Sequence, residues 1–160
     1  MYYYLIYLFF ILFKIQHFNK IIPNLYLGNY CSIFLDKFDL IINCTKDLNS
    51  NQFNCTKDLN CKKIRIPIDD NYFFKNNEIK NYLHILDEID NYLKKNKKVL
   101  VFCKFGFQRS PNIILLYLII KKKINKTEAI HLIKTHRPLS LFIINNFKHI
   151  IIMELISNKN

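Results

Sequence analysis

A chain of 160 residues has room for one domain, and a compact fold of that size buries roughly 70% of the surface its unfolded chain exposes. Hydrophobic residues at 51%, aromatic residues at 15% and charged residues at 22% exclude a disordered segment, a collagen-like repeat and a disulfide-dense mini-scaffold. The formal net charge of +12 suits anionic partners, whether phosphorylated substrates, nucleic acid or a membrane surface, and does not choose among them.

The chain opens with an unbroken apolar run, MYYYLIYLFFILF, closed by Lys14. As a helix it extends about 20 Å, short of the roughly 30 Å hydrocarbon core, and it has neither the basic start nor the small-residue cleavage site of a signal peptide. Residues 1–18 are therefore expected to form a packed or interfacial extension, with membrane contact through residues 1–13 or a targeting role as the alternatives. Residues 19–157 then make one globular domain.

Short β-rich runs follow at Leu25–Leu27, Leu40–Asn43, Ile64–Ile68 and Val99–Phe102, the last an apolar VLVF stretch suited to a strand covered on both faces. Between the second and third of these, NCTKDLN occurs twice, at Asn43–Asn49 and Asn54–Asn60, which reads as a tandem duplication in a tolerant loop rather than a solenoid repeat. Ile79, Tyr82, Leu83, Leu86, Ile89 and Leu93 recur at helical spacing after Asn76 and Asn77, either of which suits a cap. Pro111 to Ile120 is apolar all round, as in a buried helix with proline in its first turn. A last helix is signalled by Asn125 with Glu128 three residues on, and it stops at Arg137-Pro138. Strands alternating with helices predict an α/β fold with a central, mostly parallel sheet of about four or five strands flanked by helices.

The five cysteines make no C-x-x-C pair, so neither a zinc ribbon nor a disulfide framework is indicated, and a reducing, cytoplasmic compartment is the expectation. Asn, Ile, Lys, Tyr and Phe crowd the chain in a way that reads as AT-rich codon usage, which makes the scarce residues informative: Gly28, Gly106, Ala129, Arg65, Arg109 and Arg137. Lys94-Lys95-Asn96-Lys97-Lys98 and Lys121-Lys122-Lys123 read more readily as solvated helix ends than as a nucleic-acid patch. The histidines show no ligand spacing.

Between the VLVF strand and the buried helix sits Cys103-Lys104-Phe105-Gly106-Phe107-Gln108-Arg109-Ser110. A strand, a tight loop and a helix N-terminus form an anion site, because successive backbone N–H groups converge and the helix dipole favours negative charge. A thiol at its rim is pushed toward thiolate, the nucleophilic form. Arg109 has the planar fork to clamp two phosphate oxygens, Gly106 lets the loop turn without a Cβ in the way, and Ser110 can donate a hydrogen bond to the sulfur.

These residues resemble the C-x-x-x-x-x-R-S/T signature of the cysteine-dependent protein tyrosine phosphatases, and specifically the small dual-specificity branch. Pro23-Asn24-Leu25-Tyr26-Leu27-Gly28 is similar to that family's opening strand, Ile41-Ile42-Asn43-Cys44-Thr45 to its second, and Ile66-Pro67-Ile68-Asp69-Asp70 to the strand end that delivers its general acid. Ala129 and Arg137 fall where the family's later helix has such residues. The resemblance implies a phosphatase-like catalytic domain over 19–157, with Cys103 as nucleophile, Arg109 and Ser110 beside it, and Lys104 to Arg109 binding the substrate phosphate. It implies a phosphorylated protein substrate, and neither metal nor cofactor.

A leaving phenolate or alkoxide needs a proton, and the position that matches the family pattern is Asp70, with Asp69 as runner-up. The chain departs from the family at Phe102, where a histidine is usual, and at Gln108, where a small residue is commoner. Two other readings of the same loop stay open: an RNA 5′-phosphatase, which the charge suits, and an inactive phosphate-binding module. Cys44 reads either as a plain strand cysteine or as a disulfide partner for an oxidised Cys103.

Overall fold

The structure is a computed structural model and describes residues 16–46, 61–68 and 76–141, with 76–81 as backbone only. The apolar run, most of the duplicated NCTKDLN segment, and Asp69 and Asp70 lie outside the described residues. Five strands make one sheet in the order β1-β2-β5-β3-β4, with β1 Phe18–Ile22, β2 Leu25–Gly28, β3 Leu40–Thr45, β4 Lys62–Ile68 and β5 Val99–Phe102. Only the β1–β2 pairing is antiparallel, so the sheet is mostly parallel, as the alternation of strand and helix signals predicts.

The additional strand is β1, which sequence alone does not mark because FNKII is a half-exposed edge segment with no clean alternation. It forms by folding back on β2 through Pro23 and Asn24, the latter at φ 62, a left-handed conformation that asparagine tolerates better than most residues.

Period-two alternation sorts the strand residues onto two apolar layers. Leu25, Leu27, Leu40, Ile42, Cys44, Val99, Val101 and Cys103 face one cluster, where α1 (Asn76–Lys94), α2 (Arg109–Ile120) and α3 (Lys126–His136) supply Ile85, Leu86, Ile89, Ile113 to Leu118, Ala129 and Ile133. Ile41, Leu100 and Phe102 face the other, covered by Ile33 of a 3-10 turn at Tyr30–Phe34 and by Phe38. The α-helices described thus share one face, and aromatic contacts among Phe18, Tyr26 and Phe38 close the other.

Helix ends follow their local chemistry. Asn125 accepts from the Glu128 N–H at 2.9 Å, the cap its spacing predicts, and α3 ends one residue before Arg137-Pro138. Asn96 and Lys123, at φ 56 and 58, turn the chain out of α1 and α2. Tyr117, buried within α2, sends its hydroxyl to Asp90 at 3.0 Å, and burial together with that carboxylate holds the phenol protonated well above its ordinary range. Among the described residues no helix is long and apolar enough to cross a membrane.

Ile42, fully buried at mid-strand, is the residue whose truncation tests this packing: Ile42→Ala should cost about 2–5 kcal/mol in a urea titration, against about 1 kcal/mol for Asn125→Ala.

Candidate active site

Three parallel strands end together. Gly28 of β2 and Asn43 of β3 both lie opposite Phe102 of β5, so Cys103 leaves the sheet at its carboxyl edge, where open α/β sheets place ligands. The chain then turns through Lys104 to Gln108 and enters α2 at Arg109. Gln108 holds the N-cap position without capping the first turn by its side chain.

Inside this loop the Gly106 N–H and the Ser110 hydroxyl each reach the Cys103 sulfur at 3.2 Å. Cys103, Arg109 and Ser110 are buried, and Lys104, Phe105, Phe107 and Gln108 are partly exposed around them. Arg109 turns Nη1 toward the carbonyl of Ile68, the last described residue of β4, at 3.4 Å. The structure therefore brings together Cys103, Gly106, Arg109 and Ser110 as the spacing predicts. Asp70 lies outside the described residues, two positions beyond Ile68.

The tightness of the loop comes from two glycines. Gly106 adopts φ +72, and a Cβ there would stand 2.7 Å from the Gly28 carbonyl oxygen and 2.8 Å from Arg137 Nη2. A Cβ on Gly28 would meet the Ser32 Cβ at 2.9 Å and Leu100 Cδ1 at 3.0 Å. The Cys103 N–H donates to the Gly28 carbonyl at 3.4 Å and the Tyr30 N–H to the Lys104 carbonyl at 3.3 Å, so β2 and its exit form one wall of the loop.

The outer wall is built by residues to which sequence reasoning assigned no role in the site. Arg137, fully buried, donates Nε to the Gly106 carbonyl at 3.0 Å and Nη2 to the Phe105 carbonyl at 3.1 Å. The Ser140 hydroxyl also reaches the Gly106 carbonyl, at 3.2 Å, and the Leu141 N–H the Phe107 carbonyl at 2.7 Å. Arginine scarcity marked Arg137; nothing local marks Ser140, whose partner is 34 residues away.

Phe102, in the place where the resemblance expects histidine, points away from the sulfur into the second apolar layer with Ile33, Phe38, Ile41 and Leu100. Cys44 shares the first layer with Cys103; burial pushes its thiol up, Cys103 adds to that push and Arg109 opposes it. Neither cysteine is in a disulfide.

The dual specificity phosphatase catalytic domain matches residues 25–156. Human dual specificity protein phosphatase 4 is 30% identical over 126 residues, which is 75% of this chain and 30% of that protein, so the chain spans under a third of such a relative's length. Among solved structures, human DUSP28 superposes with a TM-score of 0.68 at 15% identity, covering 82% of this chain and 88% of the other. The human tyrosine phosphatase-like serine/threonine/tyrosine-interacting protein superposes with a TM-score of 0.71 at 19% identity, covering 89% and 99%. The two structural likenesses bear on the fold.

A methyl group at position 106 both clashes and forces a left-handed backbone. Gly106→Ala should lose about 1–3 kcal/mol in a thermal melt and weaken orthovanadate binding by about tenfold or more in calorimetry.

Proposed function

Because the chain belongs to the family of dual specificity phosphatase catalytic domains, we propose that it is a protein phosphatase that hydrolyses phosphotyrosine, and phosphoserine and phosphothreonine with it, through a cysteinyl-phosphate intermediate. The observation that carries this reading is the pair of donors, Gly106 N–H and Ser110 hydroxyl, aimed at one sulfur inside a loop that opens a helix.

The first step forms the bond from Cys103 sulfur to phosphorus as the bond from phosphorus to the substrate oxygen breaks. Backbone N–H groups from Lys104 to Gln108 and the Arg109 guanidinium take the phosphate oxygens, whose charge they are placed to hold in the transition state. Asp70 gives its proton to the departing oxygen. What supports that assignment is the Arg109 contact to Ile68, which puts the end of β4 at the loop two residues before Asp70. In the second step water attacks the thiophosphate, Asp70 takes a proton from it, and the sulfur leaves as an anion with Ser110 and Gly106 already bonded to it. No metal or cofactor enters this sequence. The loop lies at the sheet's carboxyl edge with Lys104, Phe105, Phe107 and Gln108 partly exposed, which supports access for both aromatic and aliphatic phosphoesters. A thiolate nucleophile works in a reducing compartment, and the cytoplasm is the proposed location.

Two observations bear on the other readings. Lys94, Lys97, Lys98, Lys121 and Lys122 pair with Asp90, Asp39, Asp36 or Asp87, which supports solvated helix ends over a nucleic-acid surface. Phe102 keeps the silent phosphate-binding module as the second reading, since an apolar ring contributes no hydrogen bond to fix the loop.

Turnover of a phosphotyrosine peptide, a phosphothreonine peptide and triphosphorylated RNA by wild type, Cys103→Ser and Asp70→Asn separates these. The protein phosphatase reading expects peptide turnover abolished by Cys103→Ser and reduced by about 10²–10⁴ in Asp70→Asn. RNA turnover indifferent to Asp70, or binding without turnover, replaces it with one of the alternatives.

A further inference from the structure

Arg137 is a guanidinium taken out of water, and burial pulls its ionisation down to about 10, with the charge of Cys103 opposing. Such a group persists in the charged form when its donors are used, and here they are spent on three main-chain oxygens and one side-chain amide oxygen. Nε and Nη2 take the carbonyls of Gly106 and Phe105, while Nη1 takes the Gln16 carbonyl at 2.9 Å and Asn19 Oδ1 at 2.7 Å. Its Cζ lies over the Phe107 ring, 5.8 Å from the centroid.

We infer that Arg137 is a positioning residue for the phosphate loop, holding two peptide units so that their N–H groups face the anion. The reason is the planarity of the peptide bond, in which a trans C=O and N–H point in opposite directions. Pinning the Phe105 carbonyl outward turns the Gly106 N–H inward, where it meets the sulfur at 3.2 Å. Pinning the Gly106 carbonyl outward does the same for the Phe107 N–H. Were either peptide to flip, a carbonyl oxygen would face the phosphate, and the loop would repel the ion it is built to receive. Gly106 is where such a flip costs least, because glycine crosses between positive and negative φ freely.

Lysine cannot replace this brace. A single ammonium does not span two successive carbonyls and an anchor on β1, whereas the fork of arginine reaches all of them in one plane. Asn19 then acts at one remove, by fixing the far edge of the guanidinium.

This inference rests on the loop's being an oxyanion site, and its test reads that property apart from turnover. The full chain and its variants Arg137→Lys and Asn19→Ala are alkylated with iodoacetate and with iodoacetamide, the rates at Cys103 being followed by peptide mass spectrometry. The ratio of the two rates reports preference for an anionic reagent and cancels changes in exposure or in general thiol reactivity. Orthovanadate affinity and thermal melting are measured alongside. Wild type should prefer iodoacetate; Arg137→Lys should lose about tenfold in that ratio and in vanadate affinity, and Asn19→Ala a smaller amount in the same direction. A folded Arg137→Lys with the wild-type ratio overturns the inference. If Arg137→Lys does not fold, Asn19→Ala decides, and an unchanged ratio there overturns it equally. Wild type that binds vanadate but turns over no phosphoester ends the proposed function while the loss in Arg137→Lys still upholds the brace; wild type with no anion preference ends both.

Discussion

Everything in the site depends on two donors meeting one sulfur at 3.2 Å. A main-chain N–H and a hydroxyl can converge there only if the strand ends, the turn closes and the helix starts within a few residues. β5 supplies the strand, buried in all four positions, and α2 supplies the helix, buried from Arg109 to Leu118. The loop between them is hydrogen-bonded to neighbours on both sides: β2 and its exit on one, the segment from Arg137 to Leu141 on the other.

Alternation along β5 divides labour between the sheet's two faces. Val99, Val101 and Cys103 turn toward the α-helices, Leu100 and Phe102 toward the 3-10 turn and its aromatic cover. Phe102, the residue before Cys103, is therefore on the far side of the sheet from the sulfur. A phenylalanine there joins a packed apolar layer and strengthens the strand's seat, at the expense of any polar link from that face to the loop.

Much of this was legible because its causes are local. The buried strand, the proline in the first turn of α2, the asparagine cap of α3 and the cysteine-to-arginine spacing each sit within ten residues of sequence. β1 was not, since its order comes from pairing with β2 and not from its own composition. The outer wall of the loop was not either: Arg137 and Ser140 act on Phe105 and Gly106 across more than thirty residues of chain, and no periodicity encodes a contact of that span. The first asparagine of the duplicated NCTKDLN motif, Asn43, is buried and accepts from the N–H and hydroxyl of Thr45 at 2.8 and 2.7 Å, so the first copy has its structural role inside β3.

The contact between Gly28 and Gly106 sets a limit on drift. In a chain whose composition leans so far toward a few residue types, the two glycines that survive are the two that touch. Every replacement at Gly106 adds at least a methyl group against the Gly28 carbonyl, a main-chain group with no side chain to withdraw in exchange, so no substitution at position 28 relieves it. Compensation from across the contact, the ordinary route by which a sequence wanders while its fold persists, is closed at Gly106.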